Sequence, residues 1–138
     1  MITESGLKDA DIINTIEIPE VILRLRKDGI VHATFRENTV FDIPMQMKML
    51  EESTKITNGK KSLFIYDAED NVTITKEARD NAIHIEHRSV TSATVVVAHN
   101  LAYRIIANFY VNVNKPQTPF KVVSSFEKGI EWLKSLSV

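Results

Sequence analysis

The sequence predicts an α/β domain with a mostly parallel sheet and helices on its faces. Three observations predict it. An alternating apolar hairpin carries Asp28-Gly29 at its tip, strand-like apolar runs then alternate with helix-like periodicity, and capping or breaking residues stand at the junctions. Neither an internal repeat, a low-complexity tract nor a Pro/Gly/Ser linker divides the 138 residues. A single domain is therefore expected over residues 16–138, with residues 1–15 as a flexible leader.

Val21 to Phe35 alternates on both sides of Asp28-Gly29. A two-residue loop would place Arg24 and Arg26 on the apolar face of the partner strand. A three-residue loop, Lys27-Asp28-Gly29 with Gly29 left-handed, pairs Leu25 with Val31, Leu23 with Ala33 and Val21 with Phe35, and is the register expected. It sets Arg24 opposite His32 on the other face, expected to be solvated. Asp42-Ile-Pro44 opens a helix that Asn58-Gly59 ends. Ser62 to Tyr66 reads as a short strand, and Thr73 or Thr75 caps a second helix bearing Ala78, Ala82 and Ile85 on one face. The continuous apolar run Ser92 to Ala98 fits a strand covered on both sides. Asn100 caps a helix over residues 101–113, Phe120 to Val123 forms the last strand, and Ser124 with Glu127 has capping-box spacing before a final helix. Alternation of this kind implies right-handed crossovers, with the first hairpin strand antiparallel at one edge.

Hydrophobic residues at 43% and charged residues at 25% are globular values. With 17 basic and 18 acidic residues, a net charge of −1 supplies no electrostatic footprint for nucleic acid or an anionic membrane. Absence of cysteine removes disulfides, thiolate metal sites and cysteine nucleophiles, and fits a reducing, cytoplasmic setting. The first residues hold no apolar run of the kind a signal peptide or membrane anchor needs.

The constellations that could carry chemistry are sparse. His84 and His87 are three apart but do not form the His-Glu-x-x-His pattern of a zinc helix, so no metal is expected. Asp67-Ala-Glu-Asp-Asn71 lacks the glycine and distal glutamate of a calcium loop. The four glycines form neither a phosphate loop nor a dinucleotide motif, and no nucleophile elbow exists; neither a cofactor nor catalysis is expected. In open α/β sheets, ligands gather at the carboxyl ends of the strands. Asp67, Thr73, Thr75, Arg79, His99, Asn100, Tyr103 and Arg104 are the binding candidates there. The helix over residues 101–113 has more apolar surface than one sheet face hides, since only Arg104, Asn108 and Asn112 form a polar stripe. Tyr103, Ile106, Ala107, Phe109 and Tyr110 are accordingly candidate residues of a homodimer interface or of the wall of an apolar pocket.

Thr75-Lys-Glu-Ala-Arg79, Ala102-Tyr-Arg-Ile-Ile-Ala-Asn-Phe109, Asn114-Lys-Pro116, Thr118-Pro-Phe120 and Glu131-Trp-Leu-Lys134, taken in order, resemble a bacterial family of small SpoIIAA-like, STAS/SEC14-type domains. The resemblance runs from about residue 20 to residue 136. It implies a STAS-like layered fold and a non-catalytic regulatory role that works by binding a protein partner. Its SEC14 side implies a carrier of a small apolar ligand held between helix and sheet. Anti-sigma-factor antagonists of this kind carry a phosphorylatable serine where this chain has Val72-Thr-Ile-Thr-Lys76, which leaves Thr73 and Thr75 as the stand-ins for a phosphorylation-responsive switch.

Overall fold

A computed structural model describes residues 11–100 and 114–136. In chain order its elements are β1 (Ile12–Glu17), β2 (Val21–Arg26), β3 (Val31–Phe35), β4 (Val40–Phe41), α1 (Ile43–Thr57), β5 (Ser62–Ala68), β6 (Thr73–Ile74), α2 (Lys76–Ile85), a 3₁₀ turn (Glu86–Arg88), β7 (Thr91–Val97), β8 (Phe120–Val123) and α3 (Phe126–Leu136). Among the described residues a six-stranded sheet runs β1-β2-β3-β5-β7-β8, and β4 pairs with β6 in a separate two-stranded ribbon. The pairs β3–β5, β5–β7 and β7–β8 are parallel. The fold is thus mixed α/β with a mostly parallel sheet, as the alternation of elements requires.

The hairpin adopts the three-residue register. Leu25 pairs with Val31, Leu23 with Ala33 and Val21 with Phe35. Gly29 sits at φ +84°, a left-handed conformation that costs glycine little. Asp28 locks the loop: its carboxylate accepts from Ile30 N (3.1 Å) and from Arg26 Nη2 (2.7 Å). Burial pushes the Asp28 carboxyl up, but these bonds outweigh it and hold the group below the usual aspartate range. Asp42 caps α1 by accepting from Met45 N at 3.0 Å, and Asn58, left-handed at φ 53°, ends it.

Three expectations change, and one open alternative is resolved. Ile12–Glu17, which begins inside the stretch read as a leader, is an edge strand antiparallel to β2, so two antiparallel strands lie at that edge rather than one. A bulge between Ile12 and Asn14 breaks the period of two and hides the strand in the sequence. Of the two threonines, Thr75 caps α2, accepting from Ala78 N at 3.1 Å, while Thr73 lies in β6. The cap of α3 is Ser125, whose hydroxyl accepts from Lys128 N at 3.3 Å; Ser124 stands one residue too early to reach that amide.

The third change concerns the far face of the hairpin, which is covered rather than solvated. His32 is 0% exposed and Arg26 is also buried. The reason is α3, whose first residue, Phe126, rests against the His32 ring at 4.8 Å and has the Arg26 guanidinium over its ring at 5.7 Å. Strand alternation then divides the core. Val21, Leu23, Val31, Ala33 and Phe64 pack against Met45, Met49 and Ile56 of α1. Ile65, Ala93, Val95, Val97 and Val123 pack under Leu133 of α3.

Candidate functional site

On the α1 face the core formed by the described residues does not fill the space across β5, β7 and β8. A cavity of about 310 Å³ remains between the sheet and the helices α1 and α2. Its sheet side comprises Phe35, Tyr66, Thr94, Val96 and Phe120, and its helix side Met49, Ser53, Ala78, Ala82 and Ile85. Register explains the sheet side: Phe64 and Tyr66 point the same way in β5, and β3 sets Phe35 beside them. Their rings form a row, with Phe64 and Tyr66 5.9 Å apart, Tyr66 and Phe35 6.1 Å apart at 9°, and Phe41 edge-on to Phe35 at 5.2 Å. The β4–β6 ribbon forms one rim, where Phe41 pairs with Ile74.

Two polar side chains at the cavity tie neighbouring elements together. Gln46 donates to Ala78 O at 2.7 Å and accepts from Asn81 Nδ2 at 2.8 Å, tying α1 to α2. Glu86, at the end of α2, accepts from Thr118 N (2.9 Å), Thr118 Oγ1 (2.7 Å) and Gln117 N (3.1 Å). Burial raises the Glu86 carboxyl, but these three donors prevail and leave it below the ordinary glutamate range. The result is a mostly apolar chamber in which Gln46 and Glu86 are hydrogen-bonded within the protein.

A second polar group lies on the opposite face. His32 Nε2 is 3.1 Å from Asp67 Oδ2 and 3.3 Å from Thr34 Oγ1. The single hydroxyl hydrogen of Thr34 goes to Asp67 Oδ1 at 2.6 Å, while Arg24 Nη1 donates to Thr34 at 3.0 Å. Thr34 is therefore an acceptor toward His32, so Nε2 carries a hydrogen, and the buried Nδ1 has no partner. This arrangement joins β2, β3 and β5 beneath α3.

Of the residues singled out from sequence, Asp67 and Arg79 line the cavity. Thr75 is half-buried with its hydroxyl committed to the α2 cap, and Thr73 is exposed in the ribbon. His99 and Asn100 are exposed beyond the end of β7. Tyr103, Arg104, Ile106, Ala107, Phe109 and Tyr110 lie outside the described residues. His84 and His87 are both exposed, one on α2 and one on the 3₁₀ turn, and no group of three or more His, Asp or Glu side chains converges among the described residues. The carboxylates of Asp67-Ala-Glu-Asp-Asn71 work structurally: Asp67 meets His32 and Thr34, and Glu69 accepts from Glu37 N at 2.8 Å. The aromatic row, Glu86 and Thr118 were not singled out from sequence. Their trace there was the period-two placement of Phe64 and Tyr66, which becomes a wall only when β3 is docked beside β5.

No helix among the described residues is long and apolar enough to cross a membrane. No curated protein and no solved structure matches the chain. Residues 23–137 match the family model described as a domain of unknown function, DUF7793. That match covers 115 of the 138 residues, and the chain belongs to the DUF7793 family.

Proposed function

We propose that this domain is a non-catalytic binding module that holds a small, mostly apolar ligand between the sheet and the helices α1 and α2. The observation that carries this reading is the cavity of about 310 Å³ with its aromatic row. An apolar cavity of about 150 Å³ accommodates benzene, so this volume suits a ligand of roughly a dozen non-hydrogen atoms. The walls are mostly apolar, so an apolar body seated there would remove apolar surface of both partners from water.

The STAS/SEC14-type resemblance supports the same reading, because it also implies an apolar ligand between helix and sheet in a STAS-like layered arrangement. The alternative of a protein-interaction module dimerising through residues 101–113 draws on side chains outside the described residues. A phosphorylation switch at Thr75 draws on a hydroxyl that already serves as a helix cap.

Calorimetric titration of the full chain with 1-octanol tests the proposal, alongside Ala82→Phe, which places a ring in the chamber. The wild-type protein should bind 1-octanol, and the variant should melt cooperatively but bind at least about tenfold more weakly, the equivalent of about 1.4 kcal/mol. Absence of binding by the wild-type protein, together with native mass spectra free of any co-purified small molecule, would overturn the reading.

A further inference from the structure

We infer that the ligand of this cavity is an amphiphile with a carboxylate head, and that Arg79 is the residue that selects it; the inference rests on the cavity being a ligand site. Arg79 is the only cationic residue among the described residues lining the cavity. It extends from the first turn of α2 to the ribbon rim, where its Nη1 donates to the Ile74 carbonyl at 2.8 Å. Ile74 itself lines the cavity, so that bond holds the guanidinium at the rim beside the apolar chamber.

The bond also decides which edge of the guanidinium is offered. With Nη1 engaged by Ile74, the Nε–Nη2 edge keeps its two parallel N–H groups, and no other described residue accepts from them. Two parallel N–H donors match the two oxygens of a carboxylate, and charge assistance makes such a pair roughly twice as strong as a neutral one. The acids around the cavity do not compete for this edge. Glu86 is held by Thr118 and Gln117, and the Asp67 carboxylate meets His32 and Thr34 on the opposite face. A ligand with a short acyl or aryl body and one carboxylate would then bury its body against Phe35, Tyr66 and Ile85 and leave its head on Arg79.

The test compares octanoate with 1-octanol, two probes of the same chain length, by calorimetry at pH 8 on the full chain, with Arg79→Gln and Arg79→Lys beside the wild type. The expected result is an octanoate preference of at least about tenfold in the wild type, or about 1.4 kcal/mol. The ratio should fall to about one in Arg79→Gln and lie between the two in Arg79→Lys, which keeps the charge but loses the paired donors. Equal affinities for the two probes in the wild type, or a preference that survives Arg79→Gln, would overturn the role of Arg79 while leaving the cavity reading in place. Failure of the wild type to bind either probe would remove both.

Discussion

Under α3 the helix comes so close to the sheet that a Cβ at Gly129 would lie 2.7 Å from both Ile65 Cδ1 and Val95 Cγ1. Under α1 and α2, on the opposite side of the same central strands, the described residues leave a cavity of about 310 Å³. The contrast follows from residue size at the point of approach. Gly129 lets α3 settle until Leu133 is fully buried, and even the polar His32 is sealed beneath Phe126. On the other face, Phe35, Phe41 and Tyr66 stand up from the sheet side while Ala78 and Ala82 are the small residues of α2 that face them. Large side chains near the strand ends prop the helix layer and small ones opposite fail to fill the gap. Among the described residues, one face is tightly packed and the other keeps the chamber in which we propose the ligand sits.

This comparison breaks most visibly through truncations. Leu133→Ala should lower stability by about 3 kcal/mol, because a fully buried leucine leaves a void that tight surroundings cannot close. Ile85→Ala, on the cavity wall, should cost no more than about 1.5 kcal/mol, since its lost methyl groups already faced open space. Urea denaturation measures both, and equal losses would mean that the two faces are packed alike.

A smaller effect sharpens the account of the tight face. Gly129→Ala gains about 1 kcal/mol of helix propensity but forces a methyl group onto Ile65 and Val95, at a cost of about 1–3 kcal/mol. The net expectation is a loss of about 1 kcal/mol in the midpoint analysis. A net gain would show that the Ile65 and Val95 side chains yield to the added carbon, and that closeness alone does not set the position of α3.

The smallest effect belongs to the cavity side and depends on pH. Glu86 titrates below its ordinary value in the folded protein, so its contribution is complete above about pH 4.3. It is lost as the pH falls through the lowered folded value. Glu86→Gln should flatten the acid limb of the stability curve between about pH 5 and pH 3, by a few tenths of a kcal/mol after solvent screening. An unchanged acid limb would mean that the link from Glu86 to Thr118 and Gln117 does not help hold residues 117 and 118 in place.

Much of the fold was legible in local residue choices. The clash of Arg24 and Arg26 with an apolar partner strand dictated the hairpin register, and Asp42 with Asn58-Gly59 marked both ends of α1. The ribbon strands β4 and β6 were not legible, because two residues each are too few to show a period. Nor was β1, whose bulge shifts its apolar residues out of alternation. Of the candidate site, Asp67 was marked by its place at the carboxyl end of β5 and Arg79 by the Thr75-Lys-Glu-Ala-Arg79 segment. The aromatic wall was not, since Phe35, Phe41 and Tyr66 are distant in sequence and meet only through the β3–β5 pairing and the ribbon.

By itself the sequence determined the turns, the caps and the alternation of strands with helices, because each depends on the φ/ψ preferences and hydrogen-bonding groups of a few neighbouring residues. Only the tertiary structure decided that His32 is sealed and that a chamber persists over Tyr66. Both depend on how far a helix stands from the sheet, and that distance is set where side chains remote in the chain collide or fail to meet, at Gly129 on one face and at Ala78 and Ala82 on the other.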